Sequence, residues 1–345
     1  MLDMLALATM TVGYDSTGQP LSLIDLRPMD LGDILDGTIR VYRRNPWVFI
    51  GIMALVAGIP LVIQQSASQH FTGKLQEVSN LLGATDAGPE MLNVLQSYDF
   101  YAAVAVLAVG TILMFFFMPI SQAATVHAVS ETILGRSADM GTSIRAILPK
   151  TGHLILAYFL VGMIYLGLLA PVIVLTMVAV SDFDRLWLLV FVFPLLFFVY
   201  ILLIYLSVKF LFIPHAMVLD DTGAIDGFGR SYRLSSGYWW RTFGIFLLVS
   251  LIVSTIVYLL GGGVGLVTMG LRLIPNISEI ALSAISGLLL AVIVLFIQPL
   301  SIIAATLLYY DLRIRKEGFD LLLLAGALAK DDSGTADYSR HVPLG

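Results

Sequence analysis

The residues best placed for chemistry are polar side chains that interrupt long apolar runs beside a proline. Each proline removes a backbone hydrogen-bond donor from a predicted helix, which favours a kink and leaves carbonyl groups free. Free carbonyls and buried polar groups recur where membrane proteins bind ligands or ions. The prolines are Pro119, Pro214 and Pro299, and the polar candidates beside them are Gln122, Lys209, His215 and Gln298.

Two interpretations of these residues are open. In the first, the three kinked helices line a cavity or pathway that contains the polar groups. In the second, Ser and Gln side chains restore the lost backbone hydrogen bonds, and Lys209 extends its ammonium group toward the membrane surface. The position of Lys209 near the charged end of its apolar run favours the second interpretation.

Other potential chemistry is sparse. His127 and Glu131 are four residues apart on one predicted helix face, which suits two metal ligands, but no third ligand accompanies them. Asp220 and Asp221 are interpreted as a solvated helix end. The chain has no cysteine, no nucleotide-binding motif and no Ser/His/Asp spacing that singles out a triad. We therefore predict no catalytic residue, metal, cofactor or nucleic-acid partner, and expect a protein that is not an enzyme.

Six predicted membrane spans position these residues. The chain has 345 residues, of which 58% are hydrophobic and 12% are charged, about half the charge of an average soluble domain. A membrane helix needs roughly 20 apolar residues, and six runs qualify: 46–65, 101–126, 153–180, 186–213, 241–261 and 284–309. The sequence predicts an all-α polytopic membrane protein with one membrane domain at 27–329 between mobile tails at 1–26 and 330–345.

A recurring pattern groups the spans in pairs. An amphipathic segment carrying an Arg, an apolar run, and a second apolar run broken by a Pro occur three times, with the Arg at Arg40, Arg145 and Arg233. This pattern predicts an internal repeat of three helical hairpins, each preceded by a cytoplasmic amphipathic helix. In the first such helix, 30–44, the apolar face either contacts lipid or packs on the spans.

The distribution of basic residues predicts the orientation. Most of the 19 Lys and Arg residues fall on the side that bears both termini, and only Lys74, Arg185 and Arg272 fall on the other. The positive-inside rule then places both termini in the cytoplasm. The predicted external loops are 66–100, which is long and polar, a tight turn at 181–185, and the Gly-rich 262–283, which turns closely or re-enters the membrane.

Aromatic and basic residues mark the predicted inner membrane surface. The expected interface residues are Arg40, Arg145, Arg233, Trp239, Trp240, Arg313 and Arg315. The segment 311–324 places Leu312, Phe319 and Leu323 on one helical face. We therefore expect it to form a cytoplasmic helix that docks on the membrane domain.

Several motifs carry a family resemblance. They are LRPMDLGDILD at 26–36, YRRN at 42–45, FGRSYRL at 228–234, WWR at 239–241 and YYDLRIRKEGFDL at 309–321. Together these segments resemble a bacterial six-span family, mostly uncharacterised, that is labelled the membrane domain of glycerophosphoryl diester phosphodiesterases. The resemblance covers about 27–323. That label comes from members fused to a soluble barrel, which needs about 250 residues, and no soluble stretch here is that long. The resemblance therefore implies the fold without the enzymatic activity.

The expected function is that of a non-enzymatic scaffold or accessory subunit of the cell membrane. Its expected partners are membrane lipids and a membrane or cytoplasmic protein. The alternative is a small transporter or channel with a cavity among the Pro-kinked helices, and a lipid-acting intramembrane enzyme comes third.

Overall fold

The computed structural model describes residues 28–81, 87–180 and 187–318, and the regular elements in these ranges are all helical. The helices are α1 Leu31–Arg44, α2 Pro46–Leu81, α3 Ala87–Leu95, α4 Tyr98–Ile133, α5 Met140–Ile147, α6 Thr151–Val180, α7 Leu189–Phe210, α8 Ile213–Leu219, α9 Ala224–Ser235, α10 Trp239–Leu271 and α11 Glu279–Glu317. The predicted tails at 1–26 and 330–345 and the turn at 181–185 lie outside the described residues.

Six segments are long and apolar enough to cross a membrane, which confirms the predicted all-α polytopic class. They are Pro46–Leu81, Tyr98–Ile133, Met140–Ala179, Leu189–Leu219, Trp239–Leu271 and Glu279–Glu317. Consecutive long helices pack in three pairs, α2 with α4, α6 with α7 and α10 with α11. The short helices α1, α5 and α9 precede these pairs in the chain. That the three units are copies of one another stays a prediction.

Helix α1 packs on the membrane helices along its apolar face. Ile34 and Val41 are fully buried, and α1 lies mainly against α11. The Asp33 carboxylate accepts a hydrogen bond from the Asp30 backbone N–H at 3.0 Å, which satisfies one of the unpaired donors at the helix start. Of the two arrangements left open by the sequence, these side chains adopt the packed one, while Ile39 is 55% exposed.

The predicted polar loop 66–100 is wrong, because most of it is helical. Helix α2 continues to Leu81, which makes it about 54 Å long at 1.5 Å per residue. The extension packs on the start of α4: the rings of Phe71 and Phe100 are 6.0 Å apart, and Lys74 lies 4.0 Å from Asp99. The polarity of this stretch indicated exposure to water, but a solvated helix is as polar as a loop.

The predicted Gly-rich loop or re-entrant segment at 262–283 is also wrong over its first half. Helix α10 runs through Gly261, Gly262, Gly263 and Gly265 and ends at Leu271. In an apolar surrounding the backbone has no alternative hydrogen-bond partner, so the helix continues despite the low propensity of glycine.

Pro214 departs from the predicted kink, whereas kinks at Pro119 and Pro299 stay a prediction. Pro119 and Pro299 lie inside the continuous helices α4 and α11, whereas Pro214 stands at the start of α8, after α7 has ended at Phe210. Pro214 therefore begins a helix, a position where its missing N–H costs nothing. Prolines also lie inside α2, α6 and α7 (Pro60, Pro171 and Pro194), so they are not confined to the second helix of each pair.

Helix α2 is the centre of the bundle because it contacts both α4 and α11 backbone to backbone. A Cβ added to Gly287 of α11 would lie 2.3 Å from the Ser66 Cα, and one added to Gly110 of α4 would lie 3.0 Å from the Gln64 Cα. The distance at Gly287 is too short for any side chain, so glycine is required there, and at Gly110 a Cβ would force α2 and α4 slightly apart. Small residues serve the same purpose in other membrane bundles, where they let helices approach closely.

Candidate functional site

Buried charges gather where α8, α9, the start of α10 and the end of α11 meet. Asp311 of α11 is fully buried. Its Oδ1 accepts hydrogen bonds from the Met29 backbone N–H at 2.8 Å and from Arg315 Nε at 2.9 Å, and its Oδ2 accepts from Arg241 Nη2 at 2.9 Å. Both arginines also donate to the Met29 carbonyl. One carboxylate thus joins the segment before α1 to α10 and α11.

A second group of charges lies beside the first. The Asp220 carboxylate, 8% exposed, accepts from Arg230 Nε at 2.7 Å and from the Tyr309 hydroxyl at 2.6 Å, and pairs with Arg313 at 3.1 Å. Arg230 also binds both oxygens of Glu317, with 2.7 Å between Nη2 and Oε2. This fork-to-fork geometry is the strongest form of a carboxylate ion pair. It fixes α9 to the last turn of α11.

We call this region the charged end of the bundle. It comprises Met29, Asp220, Arg230, Arg241, Tyr309, Asp311, Arg313, Arg315 and Glu317. Burial alone lowers the pKa of the Arg230 guanidinium, but the hydrogen bonds to Glu317 and the charge of Asp220 outweigh burial and raise that pKa. Arg230 therefore carries its charge throughout the accessible pH range.

The charged end corrects two expectations. Arg313 and Arg315, predicted to face the membrane interface, bind carboxylates within the protein, and Arg313 is 2% exposed. Asp220, interpreted as part of a solvated helix end, is buried, while its neighbour Asp221 has 86% of its side chain exposed. Neighbours in sequence differ here because the helix end turns one carboxylate inward and the other outward.

A family model described as a domain of unknown function (DUF7847) matches residues 29–311. The chain belongs to this family. The matched region begins at Met29 and ends at Asp311, the two residues whose hydrogen bond closes the charged end. No curated protein and no solved structure matches the chain. The family description does not mention phosphodiesterases, so the resemblance to their membrane domain stays a prediction.

Two of the predicted polar candidates lie near the charged end. Lys209 is 3% exposed, donates a hydrogen bond to Ser236 Oγ at 2.9 Å and lies 4.2 Å from the centre of the Tyr232 ring. His215 is fully buried and stacks on the Tyr309 ring at 5.6 Å. Lys209 therefore contacts α9 and the residue that follows it, and His215 contacts α11.

The other two candidates lie farther along the spans. Gln122 of α4 accepts a hydrogen bond from the Tyr158 hydroxyl of α6 and thereby joins two hairpins. Gln298 is half-buried on α11 beside Pro299. Near that proline the Phe296 carbonyl accepts a hydrogen bond from the Tyr42 hydroxyl at 2.8 Å, which joins α1 to α11.

The predicted interface arginines on the short helices are exposed. Arg40 of α1, Arg145 of α5 and Arg233 of α9 all present their side chains at the surface. Trp240 is 77% exposed, whereas Trp239 is half-buried and stacks on Phe243 with ring centres 5.1 Å apart.

The His127 and Glu131 pair makes separate contacts. His127 Nδ1 lies 3.3 Å from Ser143 Oγ, and Glu131 pairs with Arg136 at 3.1 Å. Within residues 28–81, 87–180 and 187–318, no group of three or more His, Asp or Glu side chains is arranged to hold a metal ion.

Sequence reasoning missed the acidic half of the charged end. Asp311 and Arg315 are four residues apart just after an apolar run, a spacing that suits an ion pair on one helix face. That signal was available, but it identifies only contacts within α11. The partners from residue 29 and from α9 and α10 are distant in sequence.

Proposed function

We propose that the protein is a non-enzymatic membrane scaffold or accessory subunit whose charged end presents a preformed surface to an acidic protein partner. The observation that carries the proposal is the division of the basic residues at this end into two groups. Arg230, Arg241, Arg313 and Arg315 bind carboxylates inside the protein. A second group faces outward.

The inward group supports a rigid surface. Ion pairs of Arg230, Arg241 and Arg313 connect α8, α9, α10 and α11, and they are at least partly removed from water. Breaking such a pair leaves a charge without compensation, which costs about 3–5 kcal/mol for a fully buried pair. Independent movement of these helices would require that cost. The buried side chains Ile34 and Val41 of α1 and Ile147 of α5 hold the other two short helices, so the surface keeps its shape before a partner binds.

The outward group supports binding of acidic groups. It consists of Arg40, Arg43, Arg44, Arg145 and Arg233, which are exposed and make no ion pair with any residue of the described ranges. They lie on α1, α5 and α9, the three short helices that precede the hairpins. Basic side chains spread over a rigid surface attract an acidic partner and guide its approach.

We further propose that the charged end faces the cytoplasm of a bacterial cell. The opposite end of the described chain carries few basic residues, chiefly Lys74 and Arg272. The positive-inside rule associates the basic side with the cytoplasm. This orientation makes a cytoplasmic protein, or the cytoplasmic part of a membrane protein, the expected partner.

The test is a comparison of two variants purified in mild detergent. The first replaces Arg40, Arg145 and Arg233 with Gln, and the control replaces the exposed acids Asp36 and Asp226 on α1 and α9 with Asn. Surface substitutions of this kind change stability by about 0.5 kcal/mol or less, so both variants should fold.

Quantitative mass spectrometry then compares the proteins that copurify with each variant and with the wild type. We expect a specific partner to be lost with the Arg variant and retained with the Asp control. Retention of the same proteins by the Arg variant would refute the binding surface.

A small transporter or channel is the second candidate function. It is favoured by a cavity of ≈ 780 Å³ between α2, α10 and α11. Of the three helices that the sequence suggested for a cavity, only α11 lines this one. The contacts of Lys209 with Ser236 and Tyr232 support a structural role for that residue. We therefore rank the scaffold first.

A further inference from the structure

The cavity between α2, α10 and α11 lies toward the end of the bundle opposite the charged end. Its polar wall includes Gln65 and Gln69 of α2. These residues are about 30 Å along the helix from Pro46 at 1.5 Å per residue, which equals the thickness of the hydrocarbon core of a bilayer. Counted from Pro46 as the inner boundary of the hydrocarbon core, the cavity lies level with the region where acyl chains meet headgroups.

Glycines form the opposite wall. Gly261, Gly262 and Gly265 of α10 line the cavity. A Cβ added to Gly262 or Gly265 would meet no atom of the described residues within 4 Å, so close packing does not require glycine at either position. Without side chains at these positions, this wall of the cavity leaves the space next to α10 open.

The polar groups are arranged as an amphiphile would require. Gln65 and Gln69 lie on one face of α2, and their side chains make no hydrogen bond with any described residue. At the end of α10, Arg272 lines the cavity and pairs with Glu279 at 3.1 Å. Both side chains of this pair are more than half exposed, so an anion can replace the carboxylate with little loss.

The cavity opens sideways toward lipid. Tyr258 and Met269 line it and are 80% and 69% exposed, on a helix whose outer face is apolar. A volume of ≈ 780 Å³ lies within the usual range of about 300–1,000 Å³ for small-molecule sites. We propose that the cavity binds one anionic phospholipid of the surrounding bilayer, with an acyl chain along the glycines and the phosphate at Arg272.

Filling the cavity tests the acyl-chain part of the proposal. Gly262→Leu places a side chain inside the cavity, and Gly263→Leu places the same side chain one residue along the same helix, outside the cavity lining. Each protein is reconstituted in nanodiscs of phosphatidylglycerol and phosphatidylcholine, and the lipid retained after release into detergent is counted by native mass spectrometry.

We expect one tightly held phosphatidylglycerol with the wild type and with Gly263→Leu, and its loss with Gly262→Leu. Equal retention by the two Leu variants would overturn the proposal. The unfolding midpoint of each variant shows whether it is folded.

A charge pair tests the headgroup part without filling the cavity. Arg272→Gln and Glu279→Gln break the same ion pair, but only the first removes the cation. We expect Arg272→Gln to weaken phosphatidylglycerol binding about tenfold, as for loss of one charged contact, and Glu279→Gln to leave it equal or tighter. Unchanged preference for phosphatidylglycerol in Arg272→Gln would show that the arginine binds no phosphate. This arm decides the proposal even if Gly262→Leu does not fold.

Discussion

Replacing Asp311 with Asn tests whether the charged end holds the bundle together. Asn is nearly the same size as Asp, so packing is preserved and only the charge and one acceptor are lost. Its amide oxygen can still accept the Met29 backbone N–H, but its NH₂ group must then face the donors of Arg241. Two donors in contact repel each other, and both arginines lose their carboxylate.

The expected cost follows from the burial of the three groups. Removing one partner from a buried ion pair costs about 3–5 kcal/mol. Asp311 is fully buried, whereas the side chains of Arg241 and Arg315 are 26% and 24% exposed, so the arginines recover part of their hydration. We therefore expect Asp311→Asn to lower the free energy of unfolding by about 3 kcal/mol, near the lower bound of that range.

A matched substitution at the surface provides the control. Asp221 pairs with Lys150 at 2.6 Å, but its carboxylate side chain is 86% exposed. Asp221→Asn should cost at most about 1 kcal/mol, and Asn tolerates the positive φ of 52° at this position. Denaturant titration in detergent, followed by tryptophan fluorescence, compares the two variants. If Asp311→Asn costs no more than Asp221→Asn, the buried network does not stabilise the bundle.

Three further predictions concern packing, accessibility and topology. Gly287→Ala should destabilise the protein by about 3 kcal/mol or more, because its Cβ would overlap the backbone of α2, whereas Gly152→Ala, which meets no described atom within 4 Å, should leave the melting temperature unchanged or raise it. Lys209→Cys should not react with water-soluble thiol reagents, since Lys209 is 3% exposed, and rapid reaction would instead support a water-filled cavity there. In membrane vesicles, Arg145→Cys and Leu273→Cys should label from opposite sides, and labelling from the same side would refute the six-span topology.

The sequence by itself determined the class of the protein and the pairing of its helices. Runs of about 20 apolar residues must cross a membrane as helices, because no other structure satisfies the backbone in hydrocarbon. Helix α1 could also be bounded from sequence, since Asp30 precedes it and Asn45 and Pro46 follow it. These features depend on residues that are close together in the chain.

Helix lengths could not be predicted from hydropathy. The extension of α2 to Leu81 and of α10 to Leu271 lies in polar or Gly-rich sequence. Hydropathy reports where a segment meets lipid, and the hydrogen bonds of a helix continue past that boundary wherever nothing interrupts them. Of the predicted docking helix 311–324, residues 311–317 continue α11, which ends at Glu317, and 319–324 lie outside the described residues.

Only the tertiary structure decided which charged residues bind each other and which remain available. Arg233 is exposed and Arg313 is buried, although each lies on a helix near a basic, aromatic stretch. Nothing in the local sequence distinguishes the two residues. The difference arises because Asp220 lies opposite Arg313 across the bundle, a contact between residues far apart in sequence. The cavity has the same origin, because its lining residues come from α2, α10 and α11, which are far apart in sequence.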